Sequence, residues 1–215
     1  RHHIHTYQKF SDNLKCYAEK HNYSFTVTDI YPVCNSIKGF FFKKHCTVRE
    51  ELLLHPEIDY IMVLDNDNFV VTPYHKIESF IAPKKDIIFA IRFHNNEVMA
   101  GNYIIQNTIF SRSFLSDWMN MGAGNDYLGM NADNGALHWL LLKILGKSTS
   151  QKNCYETMRR AHSIPAYDRF IKCFHQELEG FGLDSSGGDR EEAEETEEAE
   201  EGLPLVYQSF DRFDS

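Results

Sequence analysis

The residues best placed to do chemistry in this sequence are Asp65-Asn66-Asp67. Two carboxylates one residue apart, carried on a loop rather than a straight strand, can turn toward one point. Hard divalent cations take oxygen ligands, and Mg²⁺ or Mn²⁺ is usually held by one or two carboxylates together with substrate phosphates. A cation held there stabilises the charge that grows on a departing diphosphate. An Asp-x-Asp also arises by chance, as an Asx-rich turn after a strand. Its surroundings decide between the two.

The pair follows Tyr60-Ile61-Met62-Val63-Leu64, a continuous apolar run of the kind buried on both faces of a parallel sheet. Ligands of open α/β sheets bind beyond the carboxyl ends of strands, where Asp65 and Asp67 fall. Phe69-Val70-Val71 reads as a short return strand before Pro73, which makes the pair the tip of a tight excursion.

Helical spacing of Leu14, Tyr17 and Ala18 predicts a helix over 11–21 with Ser11 as its N-cap. Residues 23–30 alternate as a strand does. Phe40–Leu54 reads as a helix ended by His55-Pro56. Short helical character marks 77–81. Strands are expected at 86–91 and 102–106, the second entered through Ala100-Gly101. Helices are expected at 110–121 and at 133–145, the latter capped near Asp133 and ended by Gly146. Helical signals return over 155–180, broken at Ile164-Pro165, and Leu205-Val206-Tyr207 reads as a short strand. The alternation predicts an α/β domain with a largely parallel sheet.

A chain of 215 residues with 42% apolar content can bury a sizeable core. Its net charge of −9 is concentrated in an acidic run at 191–201, and the remainder is close to neutral. Clustered Lys and Arg are lacking, which argues against nucleic acid as a partner. Residues 183–201 have the composition of a disordered segment. The expected organisation is a domain over 1–182, an acidic segment over 183–202 and a tail over 203–215. Five cysteines without a CxxC pair argue against a zinc site. Buried or free thiols are the plainer reading, with disulfides open to a secreted chain.

With these residues in hand, the sequence resembles the GT-A glycosyltransferases. The segment from Tyr60 to Pro73 resembles their DxD block. Glu97-Val98-Met99-Ala100-Gly101-Asn102-Tyr103-Ile104-Ile105-Gln106-Asn107-Thr108, with Phe110 to Trp118 after it, is similar to a block of the Golgi galactosyl-, mannosyl- and xylosyltransferase group. Asn131-Ala132-Asp133-Asn134-Gly135-Ala136-Leu137-His138 resembles the acidic motif at a helix start in that group. The nematode-expanded nucleotide-diphospho-sugar transferase family is the nearest in pattern, over roughly Tyr7 to Phe174.

The resemblance implies a Rossmann-like, mostly parallel sheet flanked by helices. It implies Asp65 and Asp67 as ligands of Mn²⁺ or Mg²⁺ and of the donor diphosphate. Gly101 and Asn102 would line the donor sugar pocket, where a glycine permits close approach of backbone. Asp133 and Asn134 would face the transferred sugar or the acceptor. The implied partners are a nucleotide-sugar donor and a glycan or glycoprotein acceptor, in the Golgi lumen, with a type II membrane anchor absent from this chain. The family's first strand precedes a segment like Thr6-Tyr7-Gln8, and its late metal-binding His has no matching context at His162 or His175. The domain is therefore expected to be incomplete at both ends.

Each of these residues has a plainer reading too. Gly101 serves as a turn before a strand, Asp133 as an N-cap, and His138 as a core histidine. Arg92 suits a surface salt bridge better than a phosphate. Asn107 fits a sugar contact or a turn equally. His2, His3 and His5 read as a solvated terminus. Two other functions compete: an inactive or truncated transferase homologue, and a HAD-type phosphatase with Asp65 as nucleophile.

Overall fold

The computed structural model describes residues 2–122, 132–179 and 205–209. The expected acidic segment over 183–202 lies outside them. The fold is mixed α/β, with helices packed on both faces of one sheet.

Helix α1, His2–Lys20, is longer than expected, so Ser11 lies within it and caps nothing. The apolar stripe Leu14, Tyr17 and Ala18 is buried as its spacing requires. Asn22, at φ 59°, turns the chain into strand β1, Ser24–Thr28. A 3₁₀ turn at Pro32–Ser36 leads to α2, Phe40–Leu54, entered through Gly39 at φ 83°. Strand β2, Tyr60–Leu64, has the span that its apolar run predicts. A second 3₁₀ turn, Ile77–Phe80, precedes the hairpin of β3, Ile87–Ile91, and β4, Val98–Gln106. Four helices follow: α3 Ile109–Met121, α4 Ala132–Leu145, α5 Ser150–Arg159 and α6 Ile164–Glu177. Thr108 caps α3 by accepting from Ser111 N–H. Pro165 sits in the first turn of α6, where its missing N–H has no partner to lose. Strand β5 is Leu205–Ser209.

The sheet order is β1-β5-β2-β4-β3. Strand β5 pairs parallel with β1 and with β2, whereas β2, β4 and β3 pair antiparallel. The sheet is thus mixed rather than largely parallel. The reason is the short β3–β4 hairpin, which closes through Arg92 N–H to Glu97 C=O at 2.8 Å and leaves no room for a crossover helix.

Period-two alternation divides β2 between two cores. Ile61 and Val63 join Phe42, Tyr103, Ile105, Trp118, Leu137 and Phe170 under α2–α6. Leu64 joins Leu14, Tyr17, Ile77 and Ile104 under α1. Two disulfides pin the helical side, Cys34–Cys46 across the 3₁₀ turn and α2, and Cys154–Cys173 across α5 and α6. The plain reading of buried or free thiols therefore fails for four cysteines, and Cys16 alone is free and exposed. Each bridge contributes on the order of 3 kcal/mol by constraining the unfolded chain.

No return strand forms at 69–71. Val70 instead gives its N–H to Asn13 Oδ1 at 2.7 Å and receives Asn13 Nδ2–H at its carbonyl at 3.4 Å. A side chain of α1 satisfies the backbone groups that a strand partner would otherwise take. Among the described residues, no helix is long and apolar enough to cross a membrane.

Candidate functional site

Strand β2 delivers Asp65 to the edge of the sheet, and Asn68 closes the turn behind it. Both the Asn68 N–H, at 3.2 Å, and its Nδ2, at 2.8 Å, donate to the Asp65 carbonyl. Antiparallel pairing places Val63 opposite Tyr103. Continuing that register brings Gly101 beside Asp65. A β-carbon on Gly101 would stand 2.0 Å from Asp65 Oδ2 and 2.7 Å from its Cγ, so only glycine leaves the carboxylate its place. The neighbouring Asn102 donates through Nδ2 to Asn68 Oδ1 at 2.9 Å. Its own Oδ1 is buried with no hydrogen-bond partner among the described residues.

Helix α2 contributes two residues that the motifs did not suggest. Lys44 Nζ lies 2.7 Å from Asp65 Oδ1 and 3.7 Å from Asp133 Oδ2. His45 Nε2 lies 3.4 Å from Asp133 Oδ2, and His45 Nδ1 lies 3.1 Å from the Tyr103 hydroxyl. An ionised carboxylate only accepts, so Nε2 carries the proton and Tyr103 donates to Nδ1. The imidazole stacks on Trp118 with centroids 3.5 Å apart, and Trp118 Nε1–H donates to the Asp133 carbonyl at 3.0 Å.

Burial pushes His45 down to about 4, with the Lys44 charge acting the same way. The ring is therefore neutral at ordinary pH. Burial works against the Asp133 carboxylate, but the His45 hydrogen bond and the Lys44 charge outweigh it and hold its pKa below the usual value. A buried charge persists only when paired in this way.

The site is layered. Lys44 and Asp133 form its floor, with side chains 9% and 11% exposed, whereas the Asp65 side chain is 46% exposed. Asp67 is exposed at the tip of the turn. Asp133 is the second residue of α4, so it belongs to the first turn, where the helix dipole favours a carboxylate. Asn134 Oδ1 accepts from Ala100 N–H at 2.6 Å, which fixes β4 just before Gly101.

His138 takes the structural role expected of it. Its Nε2 accepts from Val98 N–H at 3.0 Å and its Nδ1–H donates to the Asn134 carbonyl at 2.7 Å. Arg92 makes the salt bridge expected of it, at 3.0 Å, although its partner Glu97 is buried. Asn107 stands at the opposite end of β4. Its Nδ2 donates to the Leu52 carbonyl at 3.0 Å and its Oδ1 accepts from Arg112, so it ties β4 to the end of α2. The side chains of His2, His3 and His5 lie outside the described residues.

Carboxylate oxygens such as those of Asp65 and Asp67 are the ligand type a hard divalent cation takes, although Asp65 Oδ1 is engaged by Lys44. The described residues hold no group of three or more His, Cys, Asp or Glu side chains placed for a metal. Lys44 and His45 had one trace in the sequence. They fall on the buried face of α2 that also carries Phe42, Val48 and Leu52. That trace is readable only once the phase of the helix is known.

A family model described as "Protein of unknown function, DUF273" matches residues 14–183. No curated protein and no solved structure matches the chain.

Proposed function

The chain belongs to that DUF273 family, and from the site itself we propose a metal-dependent glycosyltransferase that moves a hexose or pentose from a nucleotide-diphosphate sugar to a glycan or glycoprotein. One observation carries this reading. Asp65 and Asp133, widely separated in sequence, meet at the buried Lys44, and Gly101 abuts Asp65. The sheet is then read as a GT-A-type nucleotide-sugar platform in which β2 presents the donor site at its carboxyl end. The two disulfides agree with a secretory, Golgi-type compartment.

In this reading Asp65 and Asp67 hold Mn²⁺ or Mg²⁺ together with the donor diphosphate. The cation supplies Lewis-acid stabilisation of the leaving diphosphate. Lys44 orients Asp65 and places a second positive charge near the leaving group. Gly101 leaves the Asp65 carboxylate the room it occupies against β4, and borders the donor sugar there. Asn102, held to Asn68, borders the donor sugar as well. Asp133 and Asn134 border the transferred sugar from the start of α4, and the ionised Asp133 accepts hydrogen bonds from its hydroxyls. The bond from the anomeric carbon to the diphosphate oxygen breaks, and a bond to an acceptor hydroxyl forms. The bonding electron pair leaves with the diphosphate, which takes up the proton of the acceptor hydroxyl.

The test is nucleotide release from a panel of UDP- and GDP-sugars with Mn²⁺ and with a chelator. Mn²⁺-dependent release from at least one donor, lost in Asp65→Asn and in Asp67→Asn, is the expected result. Release that survives both substitutions removes these residues from the site.

A further inference from the structure

A pocket of about 550 Å³ lies between the β3–β4 hairpin and α6, lined by Arg92, Glu97, Ile164, Tyr167, Asp168 and Lys172 among others. None of the roles assigned above involves it. Its base is a buried carboxylate. Glu97 is 1% exposed, its Oε1 accepting from the Tyr167 hydroxyl at 2.7 Å and its Oε2 lying 3.0 Å from Arg92 Nη1. Burying a carboxylate is costly unless it is paired, and here the pairing fixes the Arg92 guanidinium in the pocket wall. A guanidinium has five N–H donors, and the Arg92 side chain is 40% exposed, so its outer edge faces the cavity.

The opposite wall is α6, where Asp168 and Lys172 stand one turn apart and both line the pocket. The formal charges of Arg92, Glu97, Asp168 and Lys172 cancel. Arg92 and Lys172 bring donors and Asp168 an acceptor to the space, and Ile164 and Ile171 add apolar surface. Such a lining selects no ion. It suits a neutral ligand whose hydroxyls both donate and accept and whose C–H faces are apolar, as in a sugar ring. The volume lies within the range of small-ligand sites.

Position adds to this. Glu97 and Gly101 are four residues apart around the start of β4, about 13 Å at the usual rise per strand residue. The intervening backbone is bonded to α4 at Val98 and Ala100, so one helix borders both places. We infer that the pocket between the hairpin and α6 binds the acceptor, as a neutral glycan residue held by Arg92, Asp168 and Lys172. The word acceptor rests on the transferase reading, whereas glycan binding at this pocket does not.

The experiment is saturation-transfer NMR on the full chain with methyl β-galactoside, methyl α-mannoside, methyl β-xyloside and methyl β-N-acetylglucosaminide. Inorganic phosphate serves as the anionic competitor. Saturation transfer to at least one glycoside is expected, weakened about tenfold by Arg92→Gln and by Asp168→Asn. It is expected to be unchanged in Asp65→Asn and unaffected by phosphate. Circular dichroism verifies the fold of each variant, and Lys172→Gln, an exposed position, serves where Arg92→Gln fails to fold. No transfer to any glycoside, transfer that ignores the pocket substitutions, or displacement by phosphate overturns the inference. Glycoside binding through the pocket in a chain that releases no nucleotide from any donor would leave the pocket standing and sink the transferase reading. Donor turnover without glycoside binding would do the reverse.

Discussion

Gly101 lies so close to Asp65 that a β-carbon on it would stand 2.0 Å from the carboxylate oxygen Oδ2. The glycine is needed here for space rather than for backbone conformation. Gly101→Ala should push the Asp65 carboxylate out of line with Lys44 and lower activity by about a hundredfold or more, the scale seen for small misplacements of reacting groups. Gly135→Ala is the matched control. Its β-carbon would meet only Tyr167 at 3.8 Å, ordinary contact, so this change within α4 should be tolerated or mildly stabilising. Steady-state kinetics and thermal melts of the two variants side by side measure the contrast.

Lys44 joins two carboxylates, and its removal leaves Asp133 buried with one cationic neighbour fewer. Lys44→Met is expected to cost about 3 kcal/mol of stability, in the range for breaking one side of a buried ion pair. Asp133→Asn in the same background should recover part of that loss. Denaturant melts of the single and double variants give the coupling directly, and strict additivity would contradict the pairing.

Acid should unfold the protein earlier than its carboxylates alone would. Burial pushes His138 down to about 4, against its bond to Asn134, and His45 sits at about 4 as well, both from an ordinary 6.5. Between those values the unfolded chain takes up protons that the folded chain refuses. Stability is therefore full above about pH 6.5 and lost as pH falls toward 4, at up to about 1.4 kcal/mol per pH unit for each histidine. Unfolding midpoints measured from pH 7.5 to 4 test this. A flat profile across that window would show that neither ring is held neutral.

Reduction should act on the helical side. Opening Cys154–Cys173, which clamps α5 to α6, is expected to lower stability by about 3 kcal/mol. Opening Cys34–Cys46, at the entry to α2, should do likewise and also loosen Lys44. Melts of Cys154→Ser and Cys46→Ser, with activity measured on each, separate the two bridges.

The elements beside the site were legible where local signals were complete. Strand β2 and helix α2 have the spans that an unbroken apolar run and the His55-Pro56 boundary indicate. Relations set by distant partners were not legible. The β2–β4 pairing is antiparallel because of a hairpin, whereas the alternation of strands and helices had pointed to a largely parallel sheet. Val70 avoids a strand because Asn13, 57 residues away, takes its hydrogen bonds. Cysteine connectivity is not deducible from spacing. At the site, Asp65, Gly101 and Asp133 were named from the sequence, but Lys44 and His45, which hold two of them together, were not. A cation on the buried stripe of a helix shows its partner only when the helix is packed.

The most direct test of the central claim is calorimetric titration of UDP and GDP into the folded chain, with and without Mn²⁺. The reading predicts saturable, Mn²⁺-dependent binding of one nucleotide, abolished by Asp65→Asn and weakened by Lys44→Met. No binding of either nucleotide to a chain whose fold is verified, or binding indifferent to both Mn²⁺ and Asp65, would contradict it.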